Sequence, residues 1–370
     1  MSERLLVITA SDLNITAKGT TITLSRVLVG DIFLCSGQSN MEFTTSSAFN
    51  STEEEAKADA YTSKPIRVFQ YKGHKSGTPV QQGGRQSPWA PASANSVKGF
   101  SAVCWFGGRD TFDALGGDIP IGVIESDVGG TGVEFWSPAA AIAECNQSTP
   151  STNGPSGNDA SLYNGWIAPF TVGPMALKSL VWYQGESNTC PQQGSRPCGG
   201  IYYACQYASM IKHWRLAFGN ASMPFATVLL APDQKANAVA DIRWGQLQAV
   251  NKTETALVNA MDDGDCTPQY CAVHVRDKQL IGQRLSAVLL GLNYKGGVDA
   301  YKPAQTPVAT AWVPGMCPKG HGATVTFSSV GSGLQVLTSP TAGRQVVCGG
   351  NTSKHLPSDG HVVSGGTNWW

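Results

Sequence analysis

Three runs of this chain bring together the residue types that acyl transfer needs. Leu34-Cys35-Ser36-Gly37-Gln38-Ser39-Asn40-Met41-Glu42 sets a hydroxyl just past an apolar stretch. Val273-His274-Val275-Arg276-Asp277-Lys278 supplies an imidazole, and Val181-Trp182-Tyr183-Gln184-Gly185-Glu186-Ser187-Asn188-Thr189 supplies amides and a carboxylate. A hydroxyl is a weak nucleophile until a base takes its proton, so esterases hold a Ser within hydrogen-bond reach of a His. Ser39 is the candidate nucleophile and His274 the candidate base. The oxyanion that follows attack needs aimed donors, each worth roughly 10²–10³ in rate. Gly129 and Gly130 are candidates because a backbone N–H without a Cβ beside it can approach a substrate closely. The Ser39 N–H and the side-chain amides of Gln184 and Asn188 are the others. Glu186 reads either as an anchor in the wall of the site or as a direct participant.

Each of these residues also has a plain reading. A Ser between Gln and Asn ordinarily marks a surface turn, Gly129-Gly130 a strand-to-loop turn, and a solitary His a structural group. Position along the chain tells against that. Each run starts where an apolar, strand-like stretch ends, and open α/β sheets place their chemistry at the carboxyl ends of strands. Of six histidines, His213 adjoins Trp214 on a helical stretch and reads as structural. His74, His321, His355 and His361 lie in polar, glycine-rich or tail regions without a motif. The Ser39 turn also lacks the second glycine of the G-x-S-x-G elbow.

The elements that must position these residues alternate. Residues 1–35 carry strand-like alternation, as in Thr21-Ile22-Thr23-Leu24. Residues 44–98 are polar and rich in Ser, Gly, Gln and Pro, which predicts a long surface excursion. Helical spacing runs from Phe100 to Leu115, and Ile119 to Ile124 is a buried strand ending at Gly129-Gly130. Further strands are predicted at Leu180 to Tyr183, Thr227 to Leu230 and Ala256 to Ala260. Helices are predicted at Ile201 to Phe218, Ile242 to Val250 and Asp277 to Leu292. Such alternation gives a parallel, doubly wound sheet. After Leu292, Pro, Gly and Thr dominate around short strands such as Ala323 to Phe327, predicting a smaller β-rich C-terminal appendage. Its ending at Trp369-Trp370 suggests a fragment.

Composition narrows the classes. The 370 residues, 41% apolar, suffice for one large α/β domain with an appendage. Lys plus Arg and Asp plus Glu both total 26, so the chain lacks the basic footprint of a nucleic-acid binder. No apolar run is long enough to cross a bilayer. Neither a CxxC pair nor an HExxH occurs, which argues against a metal site. The ten cysteines point instead to disulfides in an oxidising compartment. They cluster as Cys190, Cys198 and Cys205, as Cys266 and Cys271, and as Cys317 and Cys348. Cys35 and Cys104 sit inside apolar runs and are expected as buried free thiols. N-x-Ser/Thr sequons begin at Asn14, Asn50, Asn146, Asn220, Asn251 and Asn351. The stretch Met1 to Leu5 contains no signal region, so a secreted protein would have lost its signal peptide.

The motifs resemble those of the sialate O-acetylesterase family, within the Ser-Gly-Asn-His hydrolase superfamily. The matching text runs from Val29-Gly30-Asp31 through Met41, then Phe100 to Phe106, Pro120 to Ser126, and Gly129-Gly130-Thr131 with Trp136. It continues through Leu162-Tyr163-Asn164, Trp182 to Asn188 and His274 to Leu285. This resemblance implies a flavodoxin-like three-layer αβα sandwich over residues 29–293, an N-terminal β segment over 1–28 and a β-rich region over 294–370. It implies no metal and no organic cofactor. By matching motifs it makes Ser39 the nucleophile, His274 the base, and Gly129 with Gly130 the oxyanion donors. The implied reaction removes an O-acetyl group from a sialic acid, in an extracellular or lysosomal setting. Acetylxylan or another acetylated polysaccharide is the competing substrate, and a non-catalytic sugar-binding protein on the same fold is the alternative of a different class.

Two positions depart from the superfamily pattern. Cys271 stands three residues before the His, where an acid is usual, and Val275 stands where relatives tend to have Pro. The nearest acids are Asp262, Asp263 and Asp265. One of them, or a backbone carbonyl, is expected to orient His274, with a Cys266–Cys271 bridge pinning its loop. A Ser–His dyad is the alternative.

Overall fold

The computed structural model describes residues 10–294 except 149–158, 174, 190–197, 233–236, 254 and 266–272, and beyond residue 294 four strands. Strands β1 (Ser11–Ala17) and β2 (Thr20–Val27) form an exposed antiparallel hairpin. Next come β3 (Asp31–Gly37), β4 (Ile66–Lys72), the short β5 (Arg85–Gln86) and β6 (Ala90–Pro91), β7 (Ile121–Asp127), β8 (Ser179–Tyr183), β9 (Phe225–Val228) and β10 (Ala256–Val258). Beyond them lie two antiparallel pairs: β11 (Pro307–Cys317) with β12 (Gly320–Phe327), and β13 (Gln335–Leu337) with β14 (Val362–Ser364).

The main sheet runs β10-β9-β8-β3-β7-β4-β5, with β6 also on β4. Its six longer members pair in parallel and only β5 and β6 run antiparallel. It is thus a mostly parallel, doubly wound α/β sheet with an antiparallel edge. Its central strands β3, β7 and β8 are buried along most of their length and mainly apolar, as burial on both faces favours, with polar residues gathered toward the carboxyl ends of β3 and β7. Helices Ala102–Ala114, Gly200–Ala217, Asn237–Thr253 and Lys278–Asn293 flank it. Trp105, Trp136, Trp182 and Trp214 lie fully buried in the core.

Two expectations need correcting. The polar stretch 44–98 is no mere surface excursion: it contains the helix Ser51–Ala58 and β4, which joins the sheet beside β7. In Ile66-Arg67-Val68-Phe69-Gln70-Tyr71 the strand buries Ile66 and Val68 on one face and Tyr71 on the other, since successive side chains of a strand point to opposite faces. Cys35 and Cys104 are not free thiols. β3 and the helix Ala102–Ala114 bring their Cα atoms to 6.0 Å, and the two form a disulfide, the apolar runs around them having buried both sulfurs at one point. A second bridge joins Cys145 to Cys205, and Cys198 is disulfide-bonded as well. Cys266 and Cys271 lie outside the described residues.

Candidate active site

Two of the chemistry-bearing runs leave β3 and β8 at the same end of the sheet, and the His274 run meets them there. β3 lies between β7 and β8, and Gly37 at its end is in register with Asp127 and with Tyr183. At Gly37 the strands approach so closely that a Cβ would fall 2.1 Å from the Tyr183 carbonyl oxygen, and φ is +147°. Glycine meets both demands. The chain then turns, with the Gln38 N–H donating to Tyr183 O at 3.0 Å. The Gln38 side chain cross-links the turn, its Oε1 accepting from Gln184 Nε2 and from the backbone N–H groups of Gly185 and Ser187.

Ser39 opens the short helix Ser39–Glu42, so its N–H belongs to a first turn, where no intrahelical acceptor exists. Its Oγ lies 2.8 Å from His274 Nε2. That is the hydrogen-bond distance a nucleophile and its base require. The imidazole sits 6.4 Å, ring centre to ring centre, from Phe43.

Asn40 joins the three runs. Its Nδ2 donates to Glu186 Oε1 and to Val273 O, both at 2.6 Å, and its Oδ1 accepts from Lys278 Nζ at 2.6 Å. Glu186 thus anchors the turn that carries Ser39, one of its two expected readings. The Lys278 ammonium is fully buried, and burial pulls its pKa down to about 7 although Asp263 and Glu186 favour its charge.

The expected oxyanion donors differ in their engagements. Gly129 follows β7, and a Cβ there would lie 3.4 Å from Ser39 Cβ and 2.8 Å from Glu42 Oε2. Its N–H is close to Ser39 but donates to Glu42 Oε2 at 2.7 Å. Gly130 takes φ +69° in open space. Gln184 and Asn188 are both fully buried. Gln184 Nε2 donates to Gln38 Oε1, Thr131 O and Asn188 Oδ1, while Asn188 Nδ2 donates to Glu134 Oε2. Asn188 Oδ1 also accepts the Val133 N–H. These amides fasten the loop after Gly130 to the loop after β8, which commits their protons to the scaffold.

The three candidate orienting acids are separated by their partners. Asp262 forms a bidentate pair with Arg284 at 2.6 and 2.7 Å. Asp265 pairs with Arg276 at 2.6 Å, whose guanidinium lies over the Phe49 ring. Asp263 is buried, and desolvation, helped by the charge of Asp277, raises its pKa to about 7. Away from the site, His213 Nε2 lies 3.0 Å from Glu144 Oε2.

Behind Glu42 lies an acidic cluster that the motifs do not announce. Lys72 Nζ is 3.9 Å from Glu42 Oε1, 3.4 Å from Glu125 Oε1 and 4.0 Å from Asp127 Oδ1. Burial works against the Lys72 charge, but the surrounding carboxylates outweigh it and raise its pKa. Asp127 is fully buried, and desolvation together with the Glu125 charge holds its carboxyl well above the usual range.

The profile of the family described as carbohydrate esterase, sialic acid-specific acetylesterase matches residues 29–290. The chain belongs to this family. Among curated proteins, this esterase-family chain is 33% identical over 308 residues to the human sialate O-acetylesterase, covering 74% of the chain and 55% of that protein. To the rat sialate O-acetylesterase it is 29% identical over 320 residues, covering 72% of the chain and 57% of that protein. The chain therefore spans about half the length of the curated relatives it matches. The crystal structure of a carbohydrate acetylesterase from Xanthomonas citri superposes with a TM-score of 0.71 at 26% identity, covering 88% of this chain and 68% of that one.

Sequence reasoning missed three contributors to this family member's site: Asn40 as the junction, Glu42 as the occupant of the Gly129 N–H, and Lys278 beneath both. All three stand inside the motif runs. Their residue types offered no signal, because contacts over 87 to 238 positions along the chain are set by strand order and by the packing of the helix Lys278–Asn293.

Proposed function

We propose that this protein is a carbohydrate O-acetylesterase that removes O-acetyl groups from sialic acids through a Ser39 acyl-enzyme. The observation that carries the reading is the 2.8 Å contact between Ser39 Oγ and His274 Nε2 at the end of β3. His274 Nε2 takes the proton of Ser39 Oγ as the oxygen attacks the acetyl carbonyl. The tetrahedral oxyanion is received by the N–H groups of Ser39 and Gly129, the latter once Glu42 withdraws. As the intermediate collapses, His274 returns the proton to the departing sugar oxygen and leaves an acetyl ester on Ser39. Water, deprotonated by the same imidazole, then attacks that ester, and acetate leaves with Ser39 restored. Asp263 or a backbone carbonyl orients the imidazole, since Asp262 and Asp265 are matched to arginines.

Family membership supports the substrate class, and relatives named sialate O-acetylesterases support sialic acid within it. The disulfides fit the secretory pathway, as an extracellular or lysosomal protein. No helix among the described residues is long and apolar enough to cross a membrane.

Hydrolysis of p-nitrophenyl acetate by the wild type and by Ser39→Ala tests the chemistry. Turnover should disappear in the variant with its melting temperature unchanged. A wild type without turnover that still binds acetylated sugar would instead be a sugar-binding protein. Release of acetate from O-acetylated sialic acid at a higher kcat/KM than from acetylxylan tests the sugar, and the reverse order would make it a polysaccharide acetylesterase.

A further inference from the structure

Lys278 is a buried cation that the reaction above does not use. It opens the helix Lys278–Asn293, four residues after His274, and has no solvent exposure. Its Nζ lies 5.0 Å from the centre of the Phe43 ring and 5.1 Å from that of Tyr183. Its described hydrogen bond goes to a neutral amide, Asn40 Oδ1, at 2.6 Å. The charged groups facing it are Asp263 and Glu186. A lysine placed only to pack a core would be better replaced by an apolar side chain.

The chemistry of the donors shows what it does. An ammonium donates and cannot accept, so it requires the oxygen end of the Asn40 amide. With Oδ1 held, both Nδ2 protons turn to the opposite side, where Glu186 Oε1 and Val273 O each accept at 2.6 Å. Asn40 adjoins Ser39 and Val273 adjoins His274. A flipped amide would set its oxygen against a carboxylate and a carbonyl, breaking the link between the two loops.

We propose that Lys278 is a positioning residue that fixes the orientation of the Asn40 amide and thereby the distance between Ser39 and His274. The proposal rests on the esterase reading above. Because misplacements of about 1 Å can cost roughly 10²-fold in rate, its signature is a loss of turnover without a loss of binding. Lys278 being poised near neutrality adds that the constraint is strongest while the ammonium keeps its proton.

The test measures kcat and KM for p-nitrophenyl acetate, with melting temperature, for the wild type, Ser39→Ala, Lys278→Met, Asn40→Ala and the Lys278→Met/Asn40→Ala double variant. Lys278→Met should lower kcat about 10²-fold and leave KM within about threefold. Since the two residues act in series, the double variant should be no slower than the slower single one. A Lys278→Met kcat within threefold of wild type, or losses that multiply in the double variant, would overturn the proposal. Should Lys278→Met fail to fold, Asn40→Ala carries the test, and an undiminished kcat there overturns it equally. Turnover surviving in Ser39→Ala would strike the esterase reading instead, a distinct outcome.

Discussion

The Glu42 carboxylate accepts the Gly129 N–H at 2.7 Å, so the donor proposed above for the substrate oxyanion is already bonded to an anion of the protein. Lys72, 3.9 Å from the other Glu42 oxygen, steadies that carboxylate. The arrangement keeps the N–H satisfied in the free protein, but its hydrogen bond must be exchanged before the oxyanion can use the donor. Bonds to charged groups contribute about 1.5–3 kcal/mol, and the exchange recovers most of that.

Removing the competitor should therefore help. Glu42→Ala is expected to raise kcat/KM for p-nitrophenyl acetate about three- to tenfold, a change of roughly 1 kcal/mol. Steady-state kinetics at neutral pH checks it. A tenfold fall would mean that Glu42 holds the Gly129 loop in place and that the N–H is not an oxyanion donor.

Gly37 should tolerate nothing larger. A Cβ at 2.1 Å from Tyr183 O, on a backbone at φ +147°, forces β3 away from β8 just where Ser39 emerges. Gly37→Ala is expected to destabilise the fold by more than about 4 kcal/mol, in the exceptional range for single substitutions. Denaturant unfolding measures this, and wild-type stability would contradict the close approach.

The bridge between Cys35 and Cys104 closes a separation of 69 residues. Chain-entropy arguments assign such a loop about 4 kcal/mol. The Cys35→Ala/Cys104→Ala variant should lose stability of that order in urea while keeping turnover at 25 °C, since neither sulfur contacts the reacting groups. Free thiols titrated at both positions in the oxidised wild type would refute the bridge.

Asp127 gives the fold a pH dependence. Its folded-state pKa is raised by burial and by Glu125, against about 3.9 for an unfolded Asp. The protonated carboxyl thus contributes stability that is complete below about pH 4 and is lost as pH rises through the folded value. Asp127→Asn does not titrate, so its melting temperature should exceed that of the wild type at pH 8, with the gap shrinking at pH 5. A gap that widens toward acid would show that the carboxyl is ionised in the fold.

The candidate residues of the proposed reaction and most of the sheet were legible in the chain itself. Ser39 follows β3 and the glycines follow β7, and local periodicity records where strands end. β4 was hidden because Arg67, Gln70 and Lys72 interrupt its apolar residues, so it resembles the polar sequence around it when read without its neighbours. Pairing was less legible still. Cys35 and Cys104 looked like two separate apolar cysteines until β3 and the helix Ala102–Ala114 were set side by side. The amides of Gln184 and Asn188 looked free for an oxyanion, yet burial made them bond to the scaffold, because an unsatisfied polar group inside a protein is costly. Asn40 and Glu42 acquired their contacts from the order β8-β3-β7, and Lys278 from the docking of the helix it opens. Residue type limits what a side chain can donate or accept, and only the packing of distant segments decides which partner it meets.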